Sequence, residues 1–60
     1  MKHLKKAKLE LLKEGSVVLN GEEKLTVRKI DQWSIYLINE NGNKRTVKNE
    51  LVGILEVVKY

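Results

Sequence analysis

The sequence predicts a mostly β fold, a five-stranded small barrel carrying an N-terminal α-helix. Three observations lead there. Sixty residues allow one domain, here residues 1–60. The first stretch, Lys2 to Glu14, is built of Lys, Leu, Ala and Glu apart from His3, with no Gly, Pro or β-branched residue. From Ser16 onward the pattern changes to short β-branched and aromatic runs separated by turn signals.

The elements follow in order. Leu4, Ala7, Leu11 and Leu12 fall at helical spacing and make one apolar stripe, with Leu9 on the other side. Gly15 stands where a C-terminal cap is expected, so residues 1–15 read as helix and cap and 16–60 as barrel. Ser16–Asn20 is a first strand closed by an Asn20-Gly21 turn. Lys24–Ile30 is a second, followed by a turn at Asp31-Gln32. In Trp33–Asn39, residues Trp33, Ile35 and Leu37 share one face and Ser34, Tyr36 and Ile38 the other. Two apolar faces predict a strand covered on both sides, by the barrel interior and by the helix. Asn41-Gly42 marks a hairpin loop before Lys44–Lys48, with Val47 inward. Asn49–Gly53 reads as a tight turn and Ile54–Tyr60 as the fifth strand. A small antiparallel sheet of this kind hides its edges by closing on itself.

Composition narrows the function classes. There is no cysteine, which rules out disulfides and thiolate metal sites and fits a cytoplasmic protein. The basic start is followed by alternating Lys and Leu, not by the apolar run of a signal peptide. No apolar stretch approaches the roughly 20 residues of a membrane helix. His3, the lone histidine, has no partner at metal-ligand spacing. Ser16 and Ser34 have no attendant base, no carboxylate pair is placed for acid–base work, and no Gly-rich phosphate loop exists. The expectation is a binding protein without cofactor or metal, not an enzyme.

The net charge is +4, and Lys2, Lys5, Lys6 and Lys8 come with no acid among them, while the rest of the chain balances. Such a cluster attracts phosphates, or it keeps a small protein in solution. Arg28, Lys29, Lys44 and Arg45 fall on what read as adjacent strands, as a phosphate-tracking patch or as edge protection. Trp33, the single Trp, is either a base-stacking platform or a core or interface residue.

The element order, with Asn20-Gly21, Ile30-Asp31-Gln32-Trp33 and Val47-Lys48-Asn49, resembles the Sm-like family, most nearly its bacterial branch, the Hfq proteins. The resemblance implies an SH3-like or Sm-like barrel that assembles as a homo-oligomeric ring and binds single-stranded RNA. It implies a pore-side site at Lys48 and Asn49 with Trp33 beside it. Ring assembly would pair the fourth strand of one copy with the fifth of the next. The family's strand-bending glycine is absent near Leu25-Thr26-Val27, its pore histidine is Asn49 here, and its base-stacking tyrosine is replaced near Val17. A thinner likeness to small archaeal chromatin proteins rests on Gly21-Glu22-Glu23-Lys24 and the basic strand after it. The candidate nucleic-acid residues are thus Lys48, Trp33, Asn49, Lys5, Lys6, Lys8, Arg28, Lys44 and Arg45, with RNA favoured over DNA. The rival expectation is a small protein-binding regulator or inhibitor, phage- or plasmid-borne, docking through a sheet edge or exposed Leu9.

Overall fold

Alternation of inward and outward side chains builds the centre of the molecule. In the structure, a computed structural model that describes residues 5–60, Glu23–Ile30 (β3) and Ser34–Asn39 (β4) pair antiparallel. Leu25, Val27, Ile35 and Leu37 point to one side and are fully buried. Val17–Asn20 (β2) pairs with β3 and adds Val18. Lys44–Lys48 (β5) pairs with the far side of β4, and Val47 packs on the core. Glu56–Lys59 (β6) returns to pair with β2. A two-residue strand, Lys5–Lys6 (β1), pairs with β6 at Val57 and Glu56. The result is one six-stranded antiparallel sheet of order β1-β6-β2-β3-β4-β5.

The sheet is open, not the closed barrel that the sequence predicts. Its edges, β1 and β5, do not pair with each other. The inner face is covered instead by two 3-10 turns, Leu9–Leu11 and Asn49–Ile54, which touch each other and bring in Leu12, Val52 and Leu55. A register shift in β3 between Val27 and Lys29 bends that strand around the core, as an extra residue in a ladder does. Each fully buried Leu, Ile or Val contributes roughly 1.5–3 kcal/mol by leaving water.

The expected helix over Lys2–Glu14 does not form in the described part of that span; Lys2, His3 and Leu4 lie outside the described residues. Lys5–Lys6 is a strand, and Leu9–Leu11 is a single 3-10 turn closed by the Leu12 N–H donating to the Leu9 carbonyl at 3.1 Å. The reason is energetic. A lone helix of this length is marginal in water, whereas the segment meets unpaired backbone on β6. The Ala7 N–H donates to the Leu55 carbonyl at 2.9 Å, and Ala7 and Leu12 enter the core. Tertiary pairing overrides helix propensity here. Gly15 accordingly caps no helix; with φ of 95° it turns the chain into β2.

The other strands match their sequence expectations to within a few residues at each end. At the first hairpin Asn20 pairs with Glu23, so the two-residue loop is Gly21-Glu22. Gly21 alone takes positive φ, 64°, the pattern of a turn with Gly first and not of an Asn-Gly turn. The expected tight turn at Asn49–Gly53 is the second 3-10 turn.

Ser16 is fully buried and ties Lys13 and Tyr60 together. Its hydroxyl accepts from the Lys13 N–H at 2.9 Å and donates to the Tyr60 carbonyl at 3.1 Å. Ser16→Ala leaves both partners without their bond and should cost about 1–3 kcal/mol, read as a lower urea midpoint at unchanged m-value.

Candidate functional site

The turn between β3 and β4 carries Trp33. The Asp31 N–H donates to the Ser34 carbonyl at 2.8 Å, and the Asp31 carboxylate accepts from the Gln32 N–H at 2.8 Å. Asn49, at the end of β5, then clamps the turn from the side. Its amide Nδ2 donates to the Asp31 carbonyl at 3.1 Å and to the Gln32 carbonyl at 2.9 Å, and its own N–H donates to the Trp33 carbonyl at 2.9 Å. The Asn49 Oδ1 is buried without a partner, so both useful bonds of this side chain come from its donor end. Through its donor end Asn49 therefore holds the turn that carries Trp33.

The clamp leaves the indole outside. Trp33 is 74% exposed, which rules out the core role. It lines a cleft of about 400 Å³ with Gln32, Ser34, Lys48, Asn49 and Glu50. Lys48 pairs across the sheet with Ser34 and is exposed. The structure thus brings together Trp33, Lys48 and Asn49, and adds Gln32, Ser34 and Glu50, which the sequence did not single out.

The remaining cations are distributed differently from expectation. Arg28 and Lys29 on β3 and Lys44 and Arg45 on β5 are not on adjacent strands; β4 lies between them. Arg45 turns to the inner side of the sheet, where it forms an ion pair with Glu23 at 3.1 Å. Its Nε also donates to Glu23 at 3.3 Å, so its fork is engaged within the chain. A groove of about 370 Å³ is lined by Arg28, Lys29, Lys44 and Arg45 with Tyr36, Leu37, Ile38 and Thr46, so Arg45 borders it even though its guanidinium is paired with Glu23. Tyr36, expected under a helix, is 38% exposed because no helix lies there. Lys5 and Lys6 are exposed on β1, at the sheet edge opposite β5, and Lys8 follows them. They do not join the Trp33 cleft.

Asn39 joins the loop after β4 to the Glu23–Arg45 pair. Its Oδ1 accepts from the Asn41 and Asn43 N–H groups, both at 2.9 Å, and its Nδ2 donates to Glu23 at 2.9 Å. This hydrogen bond, against the opposing effect of desolvation and with help from Arg45, holds the Glu23 carboxyl below the usual carboxylate range.

In comparison with known proteins, no family model, no curated protein and no solved structure matches this chain. No helix of the described residues is long and apolar enough to cross a membrane.

Because the Glu23 pKa is lowered by folding, its contribution to stability is present above the ordinary Glu value and is lost as pH falls through the depressed one. Asn39→Asp keeps the loop acceptors but replaces the donor beside Glu23 with a like charge. The Glu23 carboxyl should then titrate at higher pH than in the parent, as read by carboxyl-carbon NMR.

Proposed function

We propose that this protein binds nucleic acid, with single-stranded RNA the favoured form, through the Trp33–Lys48 cleft. One observation carries this: an indole 74% exposed on a hydrogen-bonded turn, with a lysine across the same cleft. Trp ordinarily buries most of its area, and nothing in the described chain covers this one. An unpaired base can stack on the indole while Lys48 meets a flanking phosphate. The Asn49 clamp lowers the ordering cost of binding by fixing the turn beforehand.

The meander β2-β3-β4-β5, with a 3-10 turn before a last strand that returns to β2, supports an SH3-like or Sm-like strand order without closure of the barrel. Self-assembly through the sheet edges meets an obstacle. At Glu56 and Val57, β6 already pairs with β1. The edges left are β5, with Lys44 and Lys48, and β1, with Lys5 and Lys6, and pairing them sets like charges together. The proposed mechanism therefore needs one copy of the chain.

A protein-binding role is the second reading. Leu11, Leu51 and Ile54 are 50%, 47% and 61% exposed on the two touching 3-10 turns, which suits an apolar partner. Salt separates the two, since phosphate binding weakens steeply with ionic strength and apolar docking does not.

Trp33 is the only Trp, so its fluorescence reports the cleft directly. Titration with oligouridylate should quench it. Trp33→Ala, followed by anisotropy of labelled oligomer, should weaken binding by about 1–3 kcal/mol. Lys48→Ala should lower the salt slope by about 0.7. Unchanged fluorescence at saturating oligomer, with no binding by anisotropy, would sink the reading.

A further inference from the structure

The outer face of β3, β4 and β5 is uncovered and has a regular chemistry. Ile35 and Leu37 point into the core, so Ser34, Tyr36 and Ile38 point the other way. Register places Tyr36 between Lys29 of β3 and Thr46 of β5. The next row runs Thr26, Ile38, Lys44, and on the other side Ser34 pairs with Lys48. With strands about 4.8 Å apart, the cations of β3 and β5 form two rows roughly 10 Å apart, with Tyr36 and Ile38 between them. No carboxylate occupies an outward position on these three strands. Glu23 faces inward, against Arg45. Arg28, beside Lys29, makes no ion pair among the described residues and lines the same groove of about 370 Å³.

This face also continues into the Trp33 cleft, because Ser34 and Lys48 line that cleft and belong to the outer rows. Tyr36 and Trp33 lie three residues apart along the chain, roughly 10 Å at strand rise. We propose that the outer face is a second contact surface for the same nucleic-acid strand, with one unpaired base stacked on Tyr36 and its neighbouring phosphates held by Arg28 and Lys29 on one side and Lys44 on the other. The proposal rests on the nucleic-acid reading and deepens it, making the protein a binder of a run of nucleotides along β4 instead of one base.

Charge decides between occupants. A second copy docked symmetrically on this face would place Lys29, Lys44 and Lys48 against their own images. A polyanion neutralises both rows. Stacking on the phenol of Tyr36 requires a base free of its pairing partner, which favours a single strand over a duplex.

The test uses the full chain and labelled oligouridylates of about three and about ten nucleotides, lengths that bracket the low end and middle of a small single-strand site. Two variants serve, Tyr36→Thr and the double substitution Lys29→Gln with Lys44→Gln, each checked for folding by circular dichroism. The parent should bind the longer oligomer more tightly. Tyr36→Thr should weaken the longer one by about 5- to 100-fold while the shorter one still quenches Trp33 as in the parent. The double variant should lower the salt slope for the longer oligomer by about 1.4. Should Tyr36→Thr fail to fold, the double variant decides alone. If the parent binds neither oligomer, the nucleic-acid reading itself fails and this proposal with it. If the parent binds both but the folded variants match it, only the outer-face proposal is overturned. Equal competition by a duplex removes the single-strand assignment, and equal competition by polyglutamate removes base stacking in favour of an acidic polypeptide.

Discussion

Everything in this molecule follows from having one apolar face to bury and too short a chain to bury it twice. Leu25 and Val27 on β3 and Ile35 and Leu37 on β4 take the inner side in strict alternation. A slip of one residue in that pairing would send them all to solvent, so the register is firmly set. Once they point inward, the covering must come from whatever chain remains. Leu12, Val52 and Leu55 come from irregular segments and from Ala7 outward at the far edge. A helix over the outer face would have needed a second apolar layer, and the sequence offers only Tyr36 and Ile38 there, between cations. The exposed outer face is a consequence of the same shortage.

Side-chain amides, not further apolar contacts, fix the functional periphery. Asn39 and Asn49 stand at the ends of adjacent strands and each bonds backbone of a turn. Neither position asks for a large side chain. Both ask for one group that donates or accepts at a set distance, which asparagine supplies with little rotamer entropy to lose. The orphaned Oδ1 of Asn49 costs some of that benefit, since a buried acceptor without a donor is unfavourable. The clamp survives because two carbonyls and the turn that displays Trp33 depend on its other end.

Strands and hairpins were legible in the sequence because their signals are local: alternation, β-branched runs, and Gly at loops. The five strands from β2 to β6 fall where those signals place them. The N-terminal segment was not legible, because its choice depends on an edge of β6 more than forty residues away, and its Lys and Leu content speaks only for intrinsic propensity. Without a helix over β4, Tyr36 is left exposed. The grouping of Trp33, Lys48 and Asn49 is what the Sm-like resemblance implies, whereas the pairing of Arg45 with Glu23 is not legible in the sequence. It follows from Glu23 sharing the inner parity of β3, a pairing visible only once the register across β4 is known.

The charge distribution in space differs from the charge distribution along the chain. Counted along the chain, the positive excess belongs to the first eight residues. Counted in space, Lys5 and Lys6 are exposed on the short β1 edge, where lysine blunts strand-to-strand aggregation, at the opposite edge from β5. Net charge therefore misleads about location. What matters for a phosphate chain is unpaired cations with something flat between them. The core residues of β3 and β4 favour that on the outer face, by taking Glu23 to their own side and leaving Lys29 beside Tyr36 and Lys44 beside Ile38 on the other.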